Sequence, residues 1–353
     1  MIWLRKSEKN NILVIPQFKR IGDIVCSTPV FRAIKEKYPE SRITVIVSSM
    51  AAGVLKNNPR VDEIIIVEDY WHKFPELVRK IRRGNFKWGV SLSGTALSST
   101  LFFLSLIPNR LKITRPNKSL AEALSDWMTN FKEEYKELTY LPLFYLKMLR
   151  HLGIDNENYT KEIYAGYEAE AKMKKFLATN GVMEKDKLIG ISLTAGNNVK
   201  EWGDDKFESL AREISKKYPI KIAFIGSFYE KERVGNFVRK LGSGSKYIDA
   251  AGLSLEELVV LMKNFSVFIS VDTGPTHIAH ALGVPLIDIL GPVNDIELTP
   301  RDGNIKIIKP NPEIPSTIFA FQAFGPAYLA RKALENISVS QVLLAFDELY
   351  KVV

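Results

Sequence analysis

The chain of 353 residues contains a single cysteine, Cys26. That excludes an internal disulfide framework and suits a reducing compartment. Long hydrophobic runs are missing too. The apolar stretch near the middle, residues 101–107, is far shorter than the roughly 20 residues a membrane-spanning helix needs. The opening MIWLRKSEKN has no apolar segment of the secretory kind, so a cytoplasmic protein is expected. No Walker A loop occurs, and no zinc-finger spacing, RRM signature or long Lys/Arg block, so nucleic acid is not an expected partner. There is no short internal repeat and no low-complexity tract. Among the four histidines, His277 and His280 lie three apart with no third ligand nearby in sequence, so no metal is expected.

What is present is a globular composition, 46% hydrophobic and 25% charged, with ample core. The net charge of +9 is uneven: residues 1–152 carry 25 Lys+Arg against 14 Asp+Glu, and the remainder 24 against 26. Such asymmetry suggests that the first half meets an anionic partner, such as phosphate-bearing lipid or a membrane surface. A solvated basic face is the plainer alternative.

Short apolar runs alternate with amphipathic stretches. Strands are expected at residues 12–15, 43–47, 64–67 and 89–92, and again at 188–193, 220–225, 267–271 and 286–290. Helices are expected at 24–37 and 74–83, then at 206–217, 230–241, 255–263, 276–282 and 339–350, with Pro29 kinking or shortening the first. Alternating β and α implies parallel sheets covered on both faces. The polar, aperiodic stretch 151–167 is the expected break between two Rossmann-like, doubly wound domains facing each other across a cleft.

Three strand ends carry chemistry, and the carboxyl ends of strands are where open α/β sheets bind ligands. In VFISVDTGPTHIAHALGVP, residues 267–285, an apolar run stops at an acid, a hydroxyl and a glycine. Pro275 suits a first helical turn, Gly274 permits close backbone approach, and the amides of Thr276 and His277 would face a phosphate. Asp272 is either a cap or an acceptor for a sugar hydroxyl. In VIPQFKRIGDIVCSTP, residues 14–29, Asp23 is either a helix cap or a general base beside Lys19 and Arg20. In GISLTAGNNVKEWGDDKF, residues 190–207, Lys200 and Thr194 could reach a phosphate, although such a lysine is commonly a surface residue. Glu230 follows the next strand, where an acid holds ribose hydroxyls or simply starts a helix.

The DTG triplet at 272–274 occurs once and in a βα context, so the paired carboxylates of an aspartic protease are excluded. LGSGS at 241–245 follows a helix and completes no dinucleotide fingerprint.

With these residues in view, the chain resembles glycosyltransferase family nine, the bacterial lipopolysaccharide heptosyltransferases. The likeness is carried by RIGDIVCSTPVFRAIKEKYP and SVDTGPTHIAHALGVPLIDILGP, and by KEW, GSFYEKER, AAGLSLEEL and ALENISVSQVL in the expected order. The resemblance implies a GT-B fold, with an acceptor-binding domain over residues 1–155 and a nucleotide-sugar domain over 165–335. A final helix, 336–353, would cross back to the first domain. It implies Asp23 as catalytic base, Lys200 and Thr194 at the donor diphosphate, Glu230 near the nucleoside, and Asp272, Thr273 and Gly274 beneath the diphosphate and sugar.

Two departures stand out: Thr194-Ala195-Gly196 replaces the usual Pro-Gly-Ala, and Gly203 stands where a proline often follows the tryptophan. The implied reaction is an inverting, metal-independent transfer from a nucleotide-diphosphate sugar, ADP-heptose by resemblance, to an anionic glycolipid. No separate cofactor is implied. Acceptor contacts are expected from Lys19, Arg20, Lys73, Arg79, Arg82, Arg83, Arg110 and Lys112, with peripheral contact at the inner-membrane surface. The alternatives are a nucleotide-sugar epimerase on the same fold and a non-catalytic nucleotide-sugar or glycolipid binding module.

Overall fold

The computed structural model describes residues 10–18, 20–68, 70–115, 118–242, 245–299, 303–321 and 327–352. Lys19 therefore lies outside the described residues. The chain divides into two units, Met1–Ile163 and Tyr164–Val353.

The first unit runs β1 (Asn11–Ile15), α1 (Ile21–Lys37), β2 (Arg42–Val47), α2 (Ser49–Ala52), β3 (Glu63–Ile66), α3 (Tyr70–Arg83), β4 (Trp88–Ser91), α4 (Ala96–Leu104), β5 (Asn109–Thr114), α5 (Leu120–Leu124), β6 (Phe131–Glu134) and α6 (Leu141–Met148). Its strands form one parallel sheet in the order β3-β2-β1-β4-β5-β6. Val14 of β1 faces Val45 on one side and Val90 on the other. A strand so flanked reads as an unbroken apolar run, as β1 does. The order reverses between β1 and β4, and the loops leaving these two strands diverge to form a crevice.

Pro29 lies inside α1, yet the helix is not shortened and extends over 17 residues. Proline deprives the Val25 carbonyl of its helical donor. Thr28 Oγ1 donates to that carbonyl at 2.8 Å, and Ser27 Oγ donates to the Ile24 carbonyl at 2.7 Å. The buried Arg32 of the same helix donates to the Thr160 carbonyl at 2.7 Å and pairs with Glu162 at 3.0 Å. The end of the unit is thereby held against α1.

The second unit runs α7 (Tyr167–Thr179), β7 (Leu188–Ser192), α8 (Asp204–Lys217), β8 (Lys221–Gly226), α9 (Lys231–Leu241), β9 (Tyr247–Ala251), α10 (Leu255–Met262), β10 (Phe265–Val271), α11 (Gly274–Ala281), β11 (Leu286–Ile289), β12 (Ile305–Ile308), α12 (Ala327–Glu335) and α13 (Val339–Tyr350). Its parallel sheet has the order β12-β11-β10-β7-β8-β9. Order reverses between β7 and β10, the same plan as the first unit. The core sits between this sheet and its helices, with Ile191, Phe207, Phe224, Ile269 and Ile289 fully buried.

The last helix corrects an expectation. Val342, Ala345, Phe346 and Leu349 of α13 are buried in the second unit's own core, and Asp347 accepts from Lys217 at 2.5 Å and from the Tyr218 hydroxyl at 2.8 Å at the end of α8. Its apolar face is thus covered by α8 and the sheet, and α13 completes the second unit where a return to the first was expected. Four strands, β5, β6, β9 and β12, go unread in the sequence. Three of them are sheet edges with charged or half-exposed positions, so the apolar pattern of a buried strand is missing. Among the described residues no helix is long and apolar enough to cross a membrane.

Candidate active site

In the second unit the reversal of strand order sets the loops after β8, β7 and β10 side by side. The loop after β7 carries Lys200, whose Nζ lies 2.7 Å from Oδ2 of Asp272 at the end of β10. Asp272 is almost wholly buried, whereas the Lys200 side chain is 19% exposed. Two positions 72 residues apart in sequence thus share one ion pair. An ammonium has three donors, so Lys200 can hold Asp272 and still reach an incoming anion.

The next pair lies one strand over. Burial pushes the Glu230 carboxyl up, but hydrogen bonds from the Thr194 and Ser227 hydroxyls and the Ser227 amide, with the charge of Arg233, bring it below the usual carboxylate range. The Ser227 amide bond is 2.6 Å long and belongs to a capping box that opens the turn before α9. Arg233 binds Glu201 at 2.9 Å and Asp204 at 2.7 Å, tying α9 to the Lys200 loop. Thr194, Glu230, Lys200 and Asp272 therefore belong to one assembly at three adjacent strand ends.

The start of α11 differs from expectation in one respect. Thr273 caps the helix in an extended conformation. The Thr276 amide donates to the Thr273 carbonyl at 3.1 Å, and its hydroxyl donates to the Val271 carbonyl at 3.1 Å. Both polar groups of Thr276 are taken up inside the turn, and Thr276 is fully buried, so it is not an outward-facing amide. Gly274 and His277 lie in the same first turn, with His277 buried.

The unusual Gly203 has a local cause. Its φ is +105°, which proline cannot adopt because its ring locks φ near −65°. Just before it, Trp202 is buried and its Nε1 donates to the Ile337 carbonyl at 2.9 Å. Lys206 donates to the carbonyls of Leu334, Glu335 and Ile337, each at 2.9 Å. The KEW stretch is thus anchored behind the loop while Lys200 projects from it.

In the first unit the crevice lies between the loops after β1 and β4. Asp23 sits in the first turn of α1 and is buried, with Oδ2 3.8 Å from Nη1 of the exposed Arg20. Burial, and next the negative charge of Asp23, hold the enclosed Tyr145 phenol well above its usual range, so Tyr145 is a neutral neighbour of the acid. The Phe18 carbonyl accepts from the Ser48 amide at 3.2 Å, fixing the loop that leads to Asp23. Across the crevice the stretch SLSGTALSS, residues 91–99, was not singled out in the sequence. Ser91 Oγ lies 2.7 Å from Ser98 Oγ and accepts from the Gly94 amide at 3.2 Å. Gly94 has φ +69°, and a Cβ there would stand 2.6 Å from the Ile113 carbonyl oxygen. The available signal was an apolar run ending in Ser-Gly-Thr before an alanine, the same punctuation as at β10.

The basic residues expected at an acceptor do not form one group. Lys73 lies near the start of α3, on the crevice side of the sheet, whereas Arg79, Arg82 and Arg83 lie towards its far end. Arg82 donates to the Leu104 carbonyl at 2.7 Å, at the end of α4 remote from the crevice. Arg110 begins β5 at that same edge and donates to the Ile107 carbonyl at 2.6 Å. Lys112 is 1% exposed, pairing with Asp126 at 2.7 Å and donating to Ser125 Oγ at 3.1 Å. It is a neutralised core lysine, which corrects its expected place at an acceptor.

Residues 76–317 match glycosyltransferase family 9 (heptosyltransferase). The chain belongs to this family. It is 27% identical over 291 residues to lipopolysaccharide heptosyltransferase 1 of Campylobacter coli, a span covering 79% of this chain and 83% of that protein. Among solved structures, the family 9 glycosyl transferase of Veillonella parvula superposes with a TM-score of 0.82 at 20% identity, covering 99% of both chains. The ADP-heptose lipopolysaccharide heptosyltransferase II of Escherichia coli superposes at 0.76 and 17% identity, covering 97% of this chain and 99% of that one. The fold is GT-B-like, two six-stranded parallel α/β sheets, and the chain is a family 9 glycosyltransferase. The match spans the Lys200 loop, Glu230 and the DTG turn, and begins after Asp23.

Proposed function

We propose that this family 9 enzyme transfers a heptose, with inversion, from ADP-heptose to a hydroxyl of an anionic lipopolysaccharide inner-core acceptor. The observation that carries the reading is the Lys200–Asp272 pair, 2.7 Å apart at the reversal point of the second sheet. Family membership supports sugar transfer. The similarity to the ADP-heptose lipopolysaccharide heptosyltransferase II of Escherichia coli supports the choice of nucleotide.

In the proposed reaction an acceptor hydroxyl oxygen forms a bond to the anomeric carbon as the bond from that carbon to the diphosphate breaks. Asp23 takes the hydroxyl proton. The departing diphosphate gains negative charge, and Lys200 with the first turn of α11 meets it where that charge develops. Glu230 accepts from ribose hydroxyls, a role its depressed pKa suits because it stays ionised. Lys200, with the Gly274 amide at the start of α11, here supplies the positive charge that a divalent cation supplies in other transferases.

The test combines binding with turnover. ADP at about 100 times its dissociation constant should stabilise the protein by about 2.7 kcal/mol, and UDP, GDP, CDP and NAD should do so less. Asp23→Asn should keep the ADP shift and abolish heptose transfer to heptose-free inner core. A selective shift with another nucleotide would replace the donor. Conversion of a free nucleotide sugar without transfer would establish an epimerase, and binding with no reaction of any sugar a non-catalytic module.

A further inference from the structure

We propose that the outer face of α4, α5 and the following turn, residues 125–128, seats on an anionic lipid bilayer. Leu120, Leu124 and Trp127 recur at helical spacing and are 76%, 62% and 66% exposed. Leu104 and Leu106, at the end of α4, are exposed as well. The Trp127 ring packs edge-on against Phe103 of α4 with centroids 4.9 Å apart, which joins the two groups into one apolar surface. Single exposed leucines are ordinary, but a contiguous apolar patch marks an interaction site.

Charge selects the occupant. Both acids of the segment are matched, Glu122 by Arg115 and Asp126 by Lys112 and Lys118. Arg82, bonded to the Leu104 carbonyl, and Arg110, over the Phe103 ring at 5.5 Å, add unbalanced positive charge at the rim. Guanidiniums at the edge of an apolar patch reach lipid phosphates while their stems lie along the acyl boundary. A tryptophan with one apolar face suits the same depth. A symmetric contact with a second copy would set this cationic rim against itself.

The placement gives the other basic residues a use. Arg82 and Arg110 lie remote from the Asp23 crevice and bind lipid phosphate instead of the sugar acceptor. The start of α4 lies at the crevice and its far end carries the patch; nine residues of helix span about 13 Å. The proposal stands independently of donor and acceptor identity, because lipid binding is measured without either.

The experiment is co-sedimentation with vesicles of phosphatidylethanolamine and phosphatidylglycerol, and with phosphatidylcholine alone. Wild type should bind the anionic vesicles and lose binding in high salt. Leu124→Ser with Trp127→Ser should lower the partition constant at least about tenfold, since burying each such side chain is worth an order of magnitude. Its unfolding temperature and its transfer to a delipidated acceptor should be unchanged. Brominated lipids should quench wild-type fluorescence, and Trp127→Phe should remove the quenched component. Failure of wild type to bind anionic vesicles overturns the proposal, as does equal binding by the double variant. A wild-type dimer that the double variant splits, seen by light scattering, also overturns it.

Discussion

The Lys200–Asp272 pair predicts a specific rescue. In Lys200→Ala an incoming diphosphate loses one charge-assisted hydrogen bond, worth about 1.5 to 3 kcal/mol. The variant also removes from Asp272 the ammonium that pairs with its carboxylate at 2.7 Å, so that cation's charge no longer offsets the carboxylate's towards the diphosphate. Two unit charges about 4 Å apart interact by about 4 kcal/mol at an effective dielectric of 20. At a separation nearer 8 Å the repulsion is therefore about 2 kcal/mol. Together these lower ADP affinity by about 4 kcal/mol, near a thousandfold. Lys200→Ala combined with Asp272→Asn removes the repulsion and should recover about tenfold to thirtyfold of that loss. Calorimetric titration with ADP, not the sugar nucleotide, measures this without involving any contact Asp272 makes to sugar. Circular dichroism of each variant checks that it is folded. If the double variant binds ADP no better than Lys200→Ala, the carboxylate does not face the diphosphate. If Lys200→Ala binds like wild type, the pair is structural and the donor assignment falls with it.

Lys112→Met should leave transfer kinetics unchanged but destabilise the fold by about 1.5 to 3 kcal/mol, the loss of charge-assisted hydrogen bonds from a buried ammonium, softened because Asp126 keeps Lys118 as a partner; denaturant melts read this directly. Gly94→Ala should unfold more readily than Gly203→Ala. Both sit at positive φ, but only at Gly94 does a Cβ meet backbone, at 2.6 Å, while nothing lies within 4 Å at Gly203. Thermal melts should show a loss of about 1 to 3 kcal/mol at Gly203 from its backbone angles alone, and a larger one at Gly94, where the backbone clash adds to it. Glu230 is depressed in the folded protein, so its contribution is present above the unfolded carboxyl pKa and is lost as pH falls through the folded one. Melting temperatures taken from pH 6 downward should therefore fall less steeply in Glu230→Gln than in wild type. Phe346→Ala, at a fully buried position in α13, should cost about 3 to 5 kcal/mol and should shift the second unit's unfolding.

The sequence makes the central strands plain because each is flanked by strands and covered on both faces, so apolar positions dominate them, with only single buried polar residues such as Ser270 and Asp288 between. Edge strands such as FKEE at β6 carry no such pattern, and β5 hides behind Lys112, whose charge is cancelled by an acid 14 positions further on. Strand ends were legible for the same reason as the strands: a buried run has to stop, and Asp23, Lys200 and Asp272 stand where it does. The pairings were not legible. Nothing local to Lys200 announces Asp272, and the turn that buries the Thr276 hydroxyl shows only once Val271 ends its strand beneath it. The basic residues misled because a count of charge has no direction. Lys112 points into the unit, and Arg82 and Arg110 lie at the edge of the sheet opposite the crevice.

The two units share one strand order and one point of reversal, yet their crevices are furnished differently. In the second, an ammonium paired with Asp272 stands beside a helix start, an arrangement suited to an anion whose charge grows. In the first, a buried carboxylate lies beside a neutral phenol, and the neighbouring strand end carries serine and threonine hydroxyls; in the proposed reaction that carboxylate takes the proton of an alcohol. The frame alone would serve an epimerase equally well, because it fixes only where ligands collect. The proposed division, a base in one unit and a cation in the other, is one that sugar transfer to a hydroxyl can use.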